Sequence, residues 1–164
     1  MKKGVELRDI AFLKDKIRIL PAEKDDATAI SELLKKQLDE HHLPISISDL
    51  RAGVDGVFAD SGRGFLLVAK AKDRIIGVTY ISFVWTLEHG GPGAWLEEMF
   101  MLPEWRNKGI GTRMLELAIE ECSKRGCQGI DLEVDSNHKA VENLYRRFGF
   151  SPLNRNRWVK KPGK

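Results

Sequence analysis

The sequence contains few cysteines and no long apolar run, and both absences exclude classes of protein. Its 164 residues include two cysteines, Cys122 and Cys127, whose spacing matches neither a disulfide framework nor a metal site. No stretch approaches the ~20 apolar residues of a membrane-spanning helix, and the first residues lack a signal-peptide pattern. We therefore expect a cytoplasmic protein with reduced thiols, no bound metal and no membrane contact.

Neither sign of charge is in large excess. Lys and Arg total 27 against 24 Asp and Glu, and the net charge of +3 is too small to indicate nucleic-acid binding. Five basic residues and no acidic one lie between 154 and 164, and a solvated tail explains them better than a polyanion site. The length and composition predict a single domain over 1–164, with a core at 17–161 and an N-terminal extension at 1–16.

The spacing of apolar residues predicts the element order β, α, α, β, β, β, α, β, α, β. The predicted strands are 17–20, 65–71, 74–85, 94–101, 129–135 and 155–161, with a further short segment at Phe150. Helices are predicted from 25 or 26 to 41, from 46 or 48 to 58, over 112–125 and over 138–148. A strand, glycine-rich loop, helix and strand in succession indicate a parallel crossover in an otherwise antiparallel sheet. We predict an α/β (α+β) fold, with a mixed sheet of six to seven strands flanked by about four helices.

The most informative local pattern is RNKGIGT at residues 106–112, between a predicted strand and a predicted helix. Glycines at 109 and 111 allow backbone N–H groups to approach an anion, and the helix N-terminus adds positive potential. The loop lacks the Gly-Lys-Ser/Thr ending of a Walker A motif and the third glycine of the dinucleotide fingerprint. It therefore predicts a phosphorylated ligand bound by neither of those two motifs.

Two motifs in the chain resemble those of the GNAT superfamily of acetyl-coenzyme A dependent N-acetyltransferases. Residues 95–111, WLEEMFMLPEWRNKGIG, are similar to its central motif, and residues 144–150, LYRRFGF, are similar to the motif that follows. The separation of the motifs and the element order over 17–161 agree with the family fold, in which a parallel strand pair splays apart at the cofactor site. The pair Glu97-Glu98 further resembles the acidic pair of diamine (polyamine) acetyltransferases.

The resemblance implies acetyl-coenzyme A as co-substrate and no metal. Its pyrophosphate would lie on the backbone of 108–112, with added charge from Arg106 and Lys108, and its pantetheine arm would pair with the end of the preceding strand. The family usually has an Asn seven residues before its catalytic Tyr. That spacing falls here on His138, one residue after Asn137, so either residue could contact the pantetheine. The implied cofactor-binding residues are Met99, Phe100, Met101, Arg106, Asn107, Lys108, Gly109, Ile110, Gly111, Thr112 and Asn137.

The same resemblance implies two catalytic residues, Glu97 and Tyr145. An attacking amine must be neutral, but an alkylammonium with a pKa of about 10.4 is almost entirely charged at pH 7. Glu97 matches the family's base, and a salt-bridged strand carboxylate is the alternative. In a regular strand Glu98 would face the opposite side and could hold a cationic acceptor, whereas a bulge would exchange the two roles. Tyr145 matches the acid that protonates the departing thiolate, although its apolar stripe equally predicts a core aromatic.

These patterns favour an N-acetyltransferase that transfers acetyl from acetyl-coenzyme A to a primary amine of a small molecule or protein by direct attack in a ternary complex. A non-catalytic acyl-coenzyme A-binding regulatory module is one alternative, and a basic nucleic-acid-binding protein is a weaker one. The last predicted strand could pair within the chain or with a second copy, which leaves a homodimer open. Further polar residues could line an acceptor cleft or simply face solvent: His41, His42, His89, Asp131, Glu133 and Asp135.

Overall fold

The computed structural model describes residues 17–134 and 139–161. The strands in these ranges are β1 (Ile17–Pro21), β2 (Gly64–Ala71), β3 (Arg74–Thr86), β4 (Gly91–Met101) and β5 (Ile130–Leu132). The helices are α1 (Ala27–Glu40), α2 (Ile47–Ala59), α3 (Ile110–Lys124) and α4 (Lys139–Arg147), with 3-10 turns at Lys24–Asp26 and Pro103–Trp105. The chain divides after Glu133 into two compact units, and the second contains α4 and the C-terminal segment.

The helices of the first unit follow the predicted apolar stripes and caps. On α1 the residues that lie in the core recur at helical spacing, among them Ile30, Leu34 and Leu38. Helix α2 begins directly after Ser46, whose side-chain oxygen accepts the N–H of Asp49 at 3.0 Å. This capping bond satisfies one of the N–H groups that a helix start leaves without an intrahelical partner.

The sheet is mixed, as predicted, with strand order β1-β2-β3-β4-β5. The first four strands are antiparallel neighbours, whereas β5 runs parallel to β4 over three residue pairs, from Ala94–Ile130 to Leu96–Leu132. Because β5 ends at Leu132, the last five residues of β4 have no strand beside them on that edge in the described part of the chain. The two strands thus separate halfway along β4.

The sheet of the described residues has five strands rather than six or seven. Residue 150 and residues 155–161 form no ladder, so the predicted last strand is wrong as an element of this structure. Its apolar residues Trp158 and Val159 are adjacent rather than alternating, and they are 91% and 81% exposed. A strand of this composition has no apolar face to bury, which removes the main reason for it to join a sheet. The strand predicted at 129–135 is shortened to Ile130–Leu132.

Two expected absences can be compared with the described residues. No helix in 17–134 or 139–161 is long and apolar enough to cross a membrane. The same ranges contain no group of three or more His, Cys, Asp or Glu side chains arranged to hold a metal ion.

The buried thiol of Cys122 gives the fold a specific alkaline sensitivity. Burial on α3, with a smaller contribution from Cys127, raises the pKa of Cys122 to about 12. Between pH 9 and 12 the unfolded chain loses this proton and the folded chain keeps it, so the free energy of unfolding must fall as pH rises. The expected slope is up to about 1.4 kcal/mol per pH unit for this group.

Denaturant titrations under reducing conditions at pH 8, 9, 10 and 11 would measure that slope. The variant C122A should lose stability at pH 8 through its cavity but show a shallower decline with pH than the wild type. Parallel declines in the two proteins would exclude the buried thiol as the source.

Candidate active site

Glu97 is the extra residue of a β-bulge in β4. Tyr80 of β3 pairs with Glu98 and Ile81 pairs with Leu96, so Glu97 has no opposite residue in the ladder. A bulge of this kind places two consecutive side chains on the same face of the sheet. Of the two alternatives that the sequence leaves open, the bulge is therefore the one present, and Glu97 and Glu98 share a face. Because they share it, the bulge alone does not decide which of the two is the base.

The hydrogen bonds of the two carboxylates show which face they share. Glu98 Oε2 accepts from Nε2 of Gln37 on α1 at 2.7 Å, so this carboxylate lies on the α1 face. Glu97 Oε1 accepts from Ser82 Oγ at 2.9 Å. Ser82 is two residues after Tyr80 on β3, and Tyr80 is opposite Glu98, so all four residues of the sheet face α1. Glu97 is exposed and Glu98 is half-buried, which makes Glu97 the more accessible acceptor of a proton.

Tyr80 and Gln37 also lie on this face, although no motif in the sequence marks either residue. Burial and, secondarily, the negative charge of Glu97 raise the pKa of Tyr80, against a smaller opposing effect of Arg63. The Tyr80 hydroxyl is therefore protonated at neutral pH and lies within the electrostatic field of Glu97. Gln37 is 61 residues from Glu98 in the chain, and only the packing of α1 on the sheet brings the two together.

The bulge also decides which backbone groups face the open edge of β4. The Leu102 N–H donates to the Ile76 carbonyl of β3 at 2.9 Å, and backbone groups of alternate residues point to opposite edges. The groups of Phe100 therefore also face β3, whereas those of Met99 and Met101 face the edge that β5 leaves. Met99 and Met101 thus have backbone groups at the open edge of β4 and Phe100 does not, and contact of these residues with a pantetheine arm stays a prediction.

The loop after β4 has the backbone geometry of an anion-binding turn. Asn107 and Gly109 both adopt left-handed conformations, with φ of 60° and 79°. Gly109 is the N-cap of α3, so the helix begins at Ile110, two residues before the predicted Thr112. The first helical hydrogen bond runs from the Arg113 N–H to the Gly109 carbonyl at 3.1 Å. The N–H groups of residues 110–112 come before this bond and therefore have no acceptor within the helix. N–H groups in this position at a helix N-terminus are a common binding site for phosphate groups.

Gly111 is held close to the strand that precedes the loop. A Cβ atom at this position would lie 3.2 Å from Cε of Met99. The side chain of Met99 therefore packs against the first turn of α3, on the sheet face opposite Glu97 and Glu98. This contact joins the open edge of β4 to the start of the helix.

The two cationic side chains near the loop have partners of their own. Arg106 donates from Nε to the Met101 carbonyl at 2.9 Å, approaches Glu40 of α1 at 3.2 Å and stacks 5.2 Å from the Phe100 ring. Lys108 lies 4.9 Å from the centre of the Trp105 ring. Arg106 is therefore held against the end of β4, where it covers the Met101 carbonyl, and its contact with a phosphate stays a prediction.

Tyr145 lies in the second unit, on α4. It is 7% exposed, and its ring meets that of Phe150 edge-on with centroids 5.7 Å apart. Burial raises the pKa of Tyr145 to about 12, so its hydroxyl keeps its proton throughout the neutral range. Tyr145 therefore has both the packed ring of a core aromatic residue and the protonated hydroxyl that an acid needs. Asn137, its alternative His138, and Asp135 lie outside the described residues.

The histidines that follow α1 give little evidence of a role in the site. His42 is exposed and adopts a left-handed conformation, with φ of 54°, in the turn after the helix. Its surroundings are those of a solvated histidine at a helix end. His89, by contrast, pairs with Asp131.

Replacing Gly109 by Ala should weaken acetyl-coenzyme A binding about tenfold. A left-handed conformation costs an L-residue about 1–2 kcal/mol, so the turn should relax in the alanine variant. Anion binding must then restore the turn, and this cost lowers the affinity. Gly126 is a matched control, because it has φ of 76° at the other end of α3 with open space around it. Calorimetric titration should show the loss of affinity in G109A and wild-type affinity in G126A. Equal affinities in both variants would contradict the proposed role of the loop.

Comparison with known proteins identifies the family of the chain. Residues 27–150 match the family model described as Acetyltransferase (GNAT) family. The chain is 30% identical over 152 residues to the thialysine N-epsilon-acetyltransferase of Mus musculus, covering 83% of this chain and 85% of that protein.

Two solved structures share the fold at low identity. The aminoglycoside N-acetyltransferase AAC(6')-Iy in complex with CoA superposes with a TM-score of 0.74 at 18% identity, covering 88% of this chain and 94% of that one. A Clostridium acetobutylicum protein described as a predicted acetyltransferase, with acetyl-CoA, also has a TM-score of 0.74, at 20% identity over 89% of this chain and 96% of that one. With the family model covering most of the chain, the protein belongs to the GNAT family of acetyltransferases.

Proposed function

We propose that the protein transfers an acetyl group from acetyl-coenzyme A to a primary amine. The observation that carries the proposal is the bulge at Glu97, which presents two adjacent carboxylates on one face of β4. Backbone groups of Met99 and Met101 on the same strand face its open edge, and the glycine-rich turn follows them. A cationic acceptor and a thioester donor would thus meet along one short stretch of chain.

Acetyl-coenzyme A supplies an activated acetyl carbon in this reaction. We assign its pyrophosphate to the N–H groups of 108–112 and its pantetheine arm to Met99 and Met101, with Asn137 as a further contact. Gly109 supports this assignment because its left-handed backbone allows the turn, and Gly111 because its missing side chain lets the first turn of α3 lie close to Met99 at the open edge of β4.

We assign Glu97 as the base and Glu98 as the residue that attracts the protonated acceptor. Glu97 takes a proton from the ammonium group, directly or through a water molecule, and the neutral nitrogen then attacks the thioester carbon. The new C–N bond forms as the C–S bond breaks, and the departing thiolate takes a proton from the Tyr145 hydroxyl. The second proton of the amine leaves to solvent, and the proton held by Glu97 is exchanged through solvent for the one that Tyr145 has given up. Both side chains are thereby restored, and the products are an N-acetyl amine and free coenzyme A.

The acceptor we propose is a small molecule with an aminoalkyl group. The mouse relative is named for acetylation of the ε-amine of thialysine, and it aligns along most of both chains. Two carboxylates on one face would attract a flexible ammonium group of this kind. A protein amine is the broader alternative. The cytoplasmic location stays a prediction from the sequence.

A two-step experiment tests the proposal. Calorimetry with acetyl-coenzyme A should first show binding, and thiol release should then be followed with a panel of primary amines, amino acids and peptides. We expect acetylated product with at least one aminoalkyl compound, identified by mass spectrometry. Binding without thiol release for every amine would instead support the acyl-coenzyme A-binding regulatory module and overturn the transfer activity.

A further inference from the structure

His89 and Asp131 form a pair that the proposed reaction does not use. Nε2 of His89 lies 2.8 Å from Oδ2 of Asp131, and their side chains are 26% and 29% exposed. The imidazole packs directly on Gly129, where a Cβ atom would lie 2.6 Å from three of its ring atoms. Glycine at this position therefore allows the loop before β4 to place the ring beside β5.

The register of the sheet places this pair on the same face as the two glutamates. Asp131 is opposite Trp95 in the β4–β5 ladder, and Trp95 is opposite Ser82 in the β3–β4 ladder. Ser82 in turn donates to Glu97. Side chains of directly opposite residues share a face, so Asp131, Trp95 and Glu97 all lie on the α1 side of the sheet.

The separation along this face can be calculated from strand geometry. Asp131 is one strand across from Trp95, and Glu97 is two residues further along β4. With strands ~4.8 Å apart and a rise of ~3.3 Å per residue, the Cα atoms of 131 and 97 are about 8 Å apart. Trp95 is half-buried and is the neighbour of both residues on this face, opposite Asp131 and two positions before Glu97. An acceptor reaching from Glu97 to Asp131 would thus pass beside an aromatic side chain.

The chemistry of this region suits a second cationic group. Glu97, Glu98 and Asp131 are carboxylates on the α1 face of β4 and β5, and together they would attract an ammonium group to this face. Methylene groups can pack on the Trp95 ring, and an ammonium group near it gains a cation–π contribution. His89 fixes the orientation of the Asp131 carboxylate and leaves its second oxygen to accept from a ligand.

We propose that the His89–Asp131 pair is a distal recognition site for the acceptor, which binds a second ammonium group of the molecule acetylated beside Glu97. Asp131 is the contact residue and His89 the positioning residue. The inference rests on the proposed function, because it assigns the other end of the same acceptor. It makes the separation between the two amino groups, rather than the reacting amine alone, the determinant of specificity.

The test compares α,ω-diaminoalkanes of increasing length with the monoamines that lack the second amino group. The wild type should have its lowest KM for one intermediate diamine length and a KM at least about tenfold higher for the matching monoamine. D131N should raise the KM for that diamine about tenfold, with kcat and the monoamine KM unchanged. H89A should act in the same direction with a smaller effect.

A matched control removes one exposed carboxylate elsewhere. Asp73 lies in the turn between β2 and β3, and D73N makes the same change of net charge. It should leave all KM values unchanged. If D131N and wild type have the same preference for diamines, or if D131N weakens monoamines and diamines equally, the distal site is contradicted. A wild type that acetylates no amine would instead overturn the proposed function itself.

Discussion

Replacing Glu97 by Gln should lower kcat for an amine acceptor by about 10²–10³-fold at pH 7, within the range usual for loss of a general base. The amide is nearly isosteric and can keep the contact with Ser82 but cannot take a proton. Only about one alkylammonium in a few thousand is neutral at this pH, so the variant depends on that small population. The affinity for acetyl-coenzyme A should stay within twofold of wild type, because the loop and the open edge of β4 are untouched.

The pH dependence of the variant provides a second readout. Without the base, the rate should rise about tenfold per pH unit while the amine remains mostly protonated below a pKa of about 10.4. The rates of E97Q and wild type should therefore converge as pH approaches 10. Rates that stay apart by a constant factor from pH 7 to pH 10 would mean that Glu97 does not act by removing this proton.

Glu98 gives a matched control in the neighbouring position. It has the same charge and shares the α1 face, but it accepts from Gln37 and is less exposed. We expect E98Q to raise the KM of the acceptor while reducing kcat much less than E97Q. The reverse result, with kcat lost in E98Q and retained in E97Q, would show that the bulge exchanges the two roles.

Replacing Tyr145 by Phe should lower kcat by about 10²-fold, at the lower end for loss of a general acid, with the affinity for acetyl-coenzyme A unchanged. The ring and its edge-on contact with Phe150 are retained, so thermal stability should change little. Burial raises the pKa of Tyr145 to about 12, and the hydroxyl is therefore protonated from pH 6 to 10. The wild-type rate should accordingly show no falling limb in that range from loss of this acid. Turnover equal to wild type would exclude the acid role.

Tyr80 allows a control for the tyrosine substitution, since the chain contains two tyrosines. Its pKa is also raised, in part by Glu97, but we assign it to the acceptor face. Y80F should change the KM of the acceptor more than kcat. A large loss of kcat in Y80F together with full activity in Y145F would transfer the acid role to Tyr80.

The sequence was sufficient for features that depend on local patterns. The apolar stripe of α1, the Ser46 cap of α2 and the hairpin of β2 and β3 are all encoded within short windows, and the structure contains them. The glycine-rich turn was also predicted, although Gly109 as N-cap starts α3 two residues early. These features follow from propensity and spacing alone.

Features that depend on pairing between distant segments were not accessible. Two adjacent glutamates carry no local mark of a bulge, because the extra residue is defined by the register of β4 against β3. Gln37 and Tyr80 match no motif in the sequence, and only the fold brings them near the carboxylates of Glu98 and Glu97. The predicted strand at 155–161 is wrong for a different reason. Residues that favour strands do not by themselves supply a face that can be buried.

One assay of wild type and E97Q with acetyl-coenzyme A and a primary amine, in which free thiol and acetylated amine are measured together, tests acetyl transfer assisted by Glu97. We expect equal amounts of thiol and N-acetyl product from the wild type, and product formation about 10²–10³-fold slower in E97Q at pH 7. Cofactor binding with no acetylated amine at any pH from 7 to 9, or equal rates in the two proteins, would contradict this Glu97-assisted transfer.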